Sequence, residues 1–262
     1  MPKSRYDSGS NKAAIHMVSA RASHNRIASG QVKTRDKSDE ITAIPKLLNM
    51  LEIKGCIVTI DAMGTQKKIA QKIIDKEGDY VLVSKGCQSA IHEDVALFFE
   101  QKADTPVDKS FVFDICETVD GDHGRIETRK CTVTSDIDWL QGKENRKGLT
   151  SIGMVESIRD TGDKVSRDKR YYLSSLDCDA EKFSEAVCKH WEVENKLHWV
   201  LDISFREDES RIRKGNVAEN MAIIRHLALN LLNRDKKLKV GKKTNRLVAG
   251  WNNDYLVKLI LG

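Results

Sequence analysis

Long apolar runs and prolines are scarce in this sequence. Only 3 of its 262 residues are proline and 16 are glycine, which excludes a collagen-like or low-complexity chain. No stretch reaches the roughly 18 uninterrupted apolar residues of a membrane-spanning helix, so we expect no membrane segment. The polar start, MPKSRYDSGSNK, lacks the apolar core of a secretion signal. We therefore expect a cytoplasmic protein.

Paired cysteines and nucleotide-binding patterns are also missing. The 6 cysteines form no C-x-x-C pair, which argues against a zinc site and favours reduced, mostly buried thiols. The glycine patterns of nucleotide-binding loops and the G-x-S-x-G of serine hydrolases do not occur. The composition that remains, 40% hydrophobic and 32% charged, can form a core beneath a very polar surface.

Positive charge is concentrated near the end of the chain. The net charge is only +5, yet residues 233–246 contain seven lysines and arginines and one aspartate. Such a cluster suits the phosphate backbone of nucleic acids, although it is equally typical of a solvated tail. The candidate DNA contacts in it are Lys236, Lys237, Lys242 and Lys243.

Strand and helix patterns alternate in the first part of the chain. Residues 13–33 predict two strands joined by a polar turn near His24. The stretch TAIPKLLNML predicts a helix with Thr42 as its N-cap. A strand at 56–60, a helix, a second strand and a second helix follow, and this order predicts a parallel pair of strands. We expect an α/β fold with a mixed sheet flanked by helices.

The following part of the chain is β-rich. Short strand-like runs are separated by glycine and aspartate turns, before the chain becomes helical again near residue 179. In one run Arg125, Glu127 and Arg129 share a face, which indicates either a DNA-contacting hairpin or a solvated strand with an internal ion pair. The predicted segments are a polar start (1–12), a first α/β part (13–105), a β-rich insertion (106–178), a helical part (179–232) and a basic segment (233–262).

Asp61 directly follows an apolar strand in CIVTIDAMG. It is either a cap at an ordinary strand-to-helix turn or a metal ligand. The second interpretation has a structural basis, because ligands of open α/β sheets bind beyond the carboxyl ends of the strands.

A second carboxylate, Glu194, falls on the apolar stripe of the helix predicted for FSEAVCKHWEVENKLHWVLDISF. A buried charge there is unfavourable unless it is paired or bound to a metal ion. It can pair with His190 or His198, or it can join Asp61 at a metal site. Carboxylates without a cysteine pattern suit Mg²⁺ or Mn²⁺, and two such ions support phosphodiester chemistry.

Several ordered motifs carry a family resemblance, from about residue 11 to the C-terminus. They are AAIHMVSA, SDEITAIPKLLNML, GCIVTIDAMG, DYVLVSKG, DHGRIETRK, SIGMVESIRD, HWEVENKLHWVLDISFREDESRIRKGN, NMAIIRHLALNLL and AGWNNDYL. Together they resemble the H-repeat-associated group of bacterial insertion-sequence DDE transposases. The resemblance implies an RNase H-like catalytic fold with a β-rich insertion before the glutamate helix. It also implies DNA strand cleavage and transfer with two divalent metal ions.

The resemblance assigns catalytic and metal-binding roles to two residues. Asp61 matches the family's second aspartate and Glu194 matches its glutamate. Glu192 stands where the family usually has glycine, and we expect it to face solvent with little effect. The family's first aspartate, on its first strand, has no match ahead of residues 5–12. We therefore expect a truncated copy that lacks one metal ligand and a central strand, and whose activity is impaired.

The resemblance also implies partners. These are the DNA of the insertion-sequence ends and of the target, in a nucleoid-associated setting, and a further transposase subunit. Arg211, Arg213 and Lys214, just beyond the glutamate helix, are additional candidate DNA contacts. The alternative function is a non-catalytic DNA-binding remnant that inhibits or partners a full-length transposase. An unrelated α/β enzyme of small phosphorylated substrates would leave the basic segment and Glu194 unexplained.

Overall fold

The two strands of the predicted hairpin and the helices at the end of the chain belong to one of two compact units. A computed structural model describes residues 16–34, 40–86, 89–104, 111–122, 125–212, 215–235 and 237–262. One unit takes in the described residues up to Leu51 and from Trp191 onward, and the other runs from Glu52 to His190.

The first unit begins with the antiparallel hairpin that the sequence predicted. Strands β1 (His16–Ala22) and β2 (Ile27–Thr34) pair around a turn that contains His24. Helix α1 (Glu40–Met50) follows. The prediction of Thr42 as its N-cap is wrong, because the backbone is already helical at Glu40 and Thr42 lies inside the first turn.

The helices of the first unit pack against one another through buried leucine side chains. They are α5 (Trp199–Phe205), α6 (Val217–Arg234), α7 (Lys242–Trp251) and α8 (Asn253–Leu261). Leu197, Leu201 and Leu229 form one buried cluster, and Leu232 belongs to another. The side-chain amide of Asn230 accepts from the N–H of Ala28 at 2.9 Å and donates to its carbonyl at 3.0 Å, which joins α6 to β2.

The second unit is built on one sheet. Its strands are β3 (Ile57–Ile60), β4 (Asp79–Ser84), β5 (Phe113–Asp122), β6 (Arg125–Thr134), β7 (Ser151–Asp160) and β8 (Val165–Ser174). Their spatial order is β3-β4-β8-β7-β6-β5, with β3 parallel to β4 and the remaining pairs antiparallel. The predicted parallel pair and the mixed sheet are confirmed.

Helices cover both faces of this sheet. They are α2 (Lys67–Asp75), α3 (Ser89–Asp104) and α4 (Ala180–Val193), the last of which continues past the end of the unit at His190. Neighbouring residues of a strand point to opposite faces. Leu173 packs with Val95 and other apolar residues of α3, whereas Tyr172 meets the ring of Phe183 on α4 edge-on. The α/β class with flanking helices is therefore confirmed.

The β-rich insertion extends the sheet of the parallel strands. Its last strand, β8, pairs with β4 at Leu82↔Leu173, so that β5 to β8 are continuous with β3 and β4.

None of the helices in the described part of the chain is long and apolar enough to cross a bilayer.

The expectation of mostly buried thiols is wrong for the cysteines that the structure describes. Cys131 is buried, Cys56 is exposed, and Cys116, Cys178 and Cys188 lie between these extremes, all as free thiols. Strand-like patterns surround Cys56, just before β3, and Cys116, on β5. These two strands lie at the edges of the sheet, where side chains are covered less than in its centre.

Candidate functional site

Asp61 lies at the carboxyl end of β3, on an exposed turn. Its backbone is extended and its Oδ1 accepts the N–H of Ala62 at 2.7 Å, which caps the 3₁₀ turn Ala62–Gly64. The capping role that the sequence left open is therefore present. The cap uses one carboxylate oxygen, so the other oxygen can still coordinate a metal ion.

Glu194 is the first residue of a π-helical segment, Glu194–His198, between α4 and α5. The expectation of a buried carboxylate is wrong, because Glu194 is exposed, while Leu197 and Leu201 in the same stretch are buried. The wheel used for the prediction assumed α-helical spacing. In a π-helical turn the hydrogen bonds span one residue more, so residues on either side no longer keep the α-helical phase.

The two histidines proposed as partners of Glu194 have other surroundings. Nδ1 of His190 lies 3.1 Å from Oγ1 of Thr59 on β3. His198 is largely buried, and burial lowers its pKa to about 4. No local pattern predicts the contact between His190 and Thr59, because 131 residues separate the two.

Glu192 does not face solvent freely, contrary to the expectation. It forms an ion pair with Lys196, one turn further along the helix, and lies 3.9 Å from the guanidinium of Arg21. The Arg21 side chain is only 2% exposed, and burial lowers its pKa, which the Glu192 carboxylate partly offsets. Glu192 therefore stabilises a buried cation on the hairpin.

A second group of buried charges follows the π-helical segment. The carboxylate of Glu207 lies 3.6 Å from the guanidinium of Arg225, and both side chains are nearly buried, at 11% and 13% exposure. Burial raises the pKa of Glu207 to about 7, against the opposing effect of Arg225. Burial also lowers the pKa of His226 to about 4 and raises that of Asp202. Sequence reasoning missed this group, because alternating charges in REDESRIRK are typical of an exposed helix end.

The predicted DNA contacts of the β-rich part differ in their availability. Arg125 is exposed at the start of β6. Arg129 instead pairs with Glu127 at 2.9 Å and with Asp120 at 3.4 Å, and Glu127 also lies 3.6 Å from Arg159. The alternative of a strand with an internal ion pair is thus present at Arg129.

The basic contacts near the end of the chain also differ from one another. Lys237, Lys243 and Arg211 are exposed. Lys242 is half-buried and its Nζ donates to the carbonyl of Leu232 at 2.6 Å, at the end of α6, while burial lowers its pKa. Three further candidates, Arg213, Lys214 and Lys236, lie outside the described residues.

Comparison with known proteins decides the family. The transposase DDE domain family matches residues 1–231 of the chain. The chain belongs to this family. The putative transposase YncI of Escherichia coli O157:H7 is 43% identical over 259 residues, which are 97% of this chain and 65% of the relative. The H repeat-associated putative transposase YhhI of Escherichia coli K12 is 40% identical over 262 residues, which are 98% of this chain and 68% of the relative. The predicted resemblance is confirmed.

The chain of this DDE-domain protein spans about two thirds of the length of these two relatives. Among solved structures, a piggyBac transposase synaptic complex with hairpin DNA aligns with 100% of this chain and 51% of the other, at a TM-score of 0.48 and 13% identity.

In the described ranges no group of three or more histidine, cysteine, aspartate or glutamate side chains is placed to hold a metal ion.

Proposed function

We propose that this chain carries DDE transposase chemistry, the cleavage and transfer of DNA strands, in an RNase H-like domain in which Asp61 and Glu194 bind the metal ions. The match of the DDE domain family over residues 1–231 is the observation that carries the proposal. The position of Asp61 beyond the end of a parallel strand supports it, because ligands of α/β sheets bind at such ends. The π-helical turn at Glu194 supports it too, since such turns are frequent at functional sites.

The donor groups fit a hard divalent ion. Both carboxylates are exposed, and hard cations such as Mg²⁺ and Mn²⁺ prefer carboxylate oxygens. Bound ions of this class activate an attacking water or hydroxyl and stabilise the leaving oxygen of a phosphodiester. In the free protein the N–H of Ala62 donates to Oδ1 of Asp61, and this capping bond restrains the carboxylate. This fixation limits the reorganisation that metal binding requires.

We propose further that the 262-residue polypeptide by itself cleaves DNA weakly or not at all. Asp61 and Glu194 correspond to two of the family's three acids, and two carboxylates hold a pair of dications less firmly than three. The described residues offer no cluster that would supply the third ligand. The alternative function, a non-catalytic DNA-binding protein, is the limiting case of this proposal.

The first test compares metal binding with cleavage. Purified polypeptide should bind Mn²⁺ in an electron paramagnetic resonance titration, and Asp61→Asn or Glu194→Gln should weaken that binding by about tenfold or more. Glu185→Gln, on the preceding helix α4 and paired with Lys189, is the matched control and should bind normally. Plasmid nicking should stay at background with Mg²⁺ and with Mn²⁺. Mn²⁺-dependent nicking that disappears in both site variants would contradict the proposed impairment, and unchanged Mn²⁺ binding in both would contradict the site.

DNA is the proposed partner, bound through the exposed cations. Lys237 and Lys243 lie in the basic segment and are accessible, whereas Lys242 is held by the carbonyl of Leu232. We expect Lys237→Ala and Lys243→Ala each to weaken DNA binding for all sequences alike. Each should also reduce the slope of log K against log salt by about 1 in gel shifts or anisotropy titrations.

The control for DNA binding is Lys54→Ala. Lys54 is an exposed lysine that pairs with Glu77, and both residues belong to the unit Glu52–His190, which does not contain the basic segment. It should leave both affinity and salt slope unchanged. Equal losses in the control and in the two basic-segment variants would show a non-specific effect of net charge and would count against the basic segment as the DNA contact.

A further inference from the structure

Helix α7 has one buried face and one exposed face. Asn245 and Ala249 lie one turn apart and are only 1% and 8% exposed. Trp251, the last residue of the helix, is instead 79% exposed. A Cβ added at the neighbouring Gly250 would meet none of the described atoms within 4 Å. The indole of Trp251 therefore lies open to solvent.

An exposed indole is unusual on a protein surface. Tryptophan is highly buried on average, because its ring removes a large apolar area from water. Tryptophans that stay on the surface are enriched where the protein binds a partner. The exposure of Trp251 thus indicates a binding surface, and its surroundings indicate the kind of partner.

These surroundings are basic. Positions 237–262 contain six lysines and arginines and one aspartate. The exposed Lys243 lies on the same side of α7 as Trp251, because helical residues four apart are neighbours and these two are separated by eight positions. With a rise of 1.5 Å per residue, they are about 12 Å apart along the helix axis. A polyanion bound at Lys243 can therefore extend along the helix to the indole.

We propose that this exposed face of α7 binds single-stranded DNA, with an unpaired base stacked on Trp251 and phosphates beside it held by Lys243. The proposal rests on the proposed function, which takes DNA as the partner, and adds which form of DNA is bound. Bases in a duplex present only their edges in the grooves, whereas an unpaired base has a free ring face. Proteins that bind single strands combine a basic surface with exposed aromatic rings.

The test compares a fluorescein-labelled oligo(dT) of about 12 nucleotides with a duplex of the same length in anisotropy titrations. We expect Trp251→Leu to weaken oligo(dT) binding about tenfold and to change duplex binding by less than about twofold. Trp251→Phe keeps an aromatic ring and should stay within about threefold of the parent. Leu261→Ala is the matched control, because Leu261 is 80% exposed in the same unit but carries no ring. It should bind oligo(dT) normally.

Salt dependence separates the two contacts. Stacking releases no counterions, so Trp251→Leu should lower the affinity for oligo(dT) without changing the slope of log K against log salt. Lys243→Ala should reduce that slope by about 0.7, as expected for one phosphate contact on a single strand. Oligo(dT) should also quench the tryptophan fluorescence of the parent, and Trp251→Phe should lose most of this quenching. Should Trp251→Leu fail to fold by circular dichroism, the quenching still decides.

The outcomes separate this proposal from the function on which it rests. If Trp251→Leu binds oligo(dT) as the parent does, while Lys237→Ala and Lys243→Ala weaken duplex binding, the stacking site is wrong and DNA binding stands. If none of these variants changes the binding of either form, DNA binding through the basic segment is itself wrong. The exposed residues would form a protein interface, and the proposal would be overturned, if Trp251→Leu and Leu261→Ala dissociated an oligomer in analytical ultracentrifugation without changing oligo(dT) affinity.

Discussion

Replacing Gly153 by alanine should destabilise the second unit by about 3 kcal/mol. Gly153 lies on β7 directly beneath the ring of Phe183, and an added Cβ would fall 2.5 Å from Cζ and 2.9 Å from both Cε atoms of that ring. The ring cannot move away easily, because Phe183 is fully buried and meets Tyr172 edge-on at 5.6 Å. The helix that leads to Glu194 thus packs closely on the sheet only because position 153 has no side chain. Urea unfolding followed by circular dichroism measures the loss.

The matched control is Gly121→Ala on β5, where an added Cβ meets nothing within 4 Å. It should be neutral or stabilising by up to about 1 kcal/mol, since alanine reduces the freedom of the unfolded chain. Phe183→Leu in the Gly153→Ala background should recover part of the loss by making room for the methyl group. A Gly153→Ala variant as stable as Gly121→Ala would show that α4 is not packed as closely as the structure has it.

The local elements were predictable because their signals are local. The turn near His24 and the strand-helix-strand order around Asp61 follow from periodicity and turn chemistry within short windows. The pairing of β4 with β8 joins residues about ninety positions apart, and no local signal specifies it. For this reason the β-rich insertion was predicted as strands but not as an extension of the sheet of the parallel pair.

The sequence pattern predicts the surroundings of one candidate ligand and not of the other. It places Asp61 at the end of a strand, and the structure has it there. It predicts a buried charge at Glu194, but this residue is exposed because a π-helical turn interrupts the α-helical spacing. The role proposed for Glu194 therefore rests on the motif resemblance and not on burial. Charge alone likewise could not separate the exposed Lys243 from Lys242, whose ammonium group is held by a carbonyl oxygen.

Substituting Glu207 should change how the stability of the protein depends on pH. The pKa of Glu207 is about 7 in the folded protein, raised from 4.5 by burial, with Asp202 and Asp208 adding to the rise and Arg225 opposing it. Between these values the unfolded chain has lost the proton that the folded protein still holds. The free energy of unfolding therefore falls through this group as pH rises from about 4.5 to 7. Glu207→Gln removes this effect. Relative to the parent protein, the free energy of unfolding of the variant should therefore rise by about 3 kcal/mol as the pH increases from about 4.5 to 7.

The difference between variant and parent isolates Glu207 from the histidines. His198 and His226, with pKa values of about 4, act in the opposite direction, since their burial favours the neutral ring and stability rises as pH increases toward their unfolded value. Both histidines are present in variant and parent, so their effects cancel in the difference between the two free energies of unfolding. Arg225→Gln provides the reverse test, because removal of the cation raises the pKa of Glu207 further. The free energy of unfolding of this variant should therefore fall relative to that of the parent as the pH rises. Urea titrations at intervals from pH 4.5 to 8 measure both differences. Parallel curves for all three proteins would mean that Glu207 titrates as an ordinary solvated carboxylate, and the buried pair would then not exist in solution.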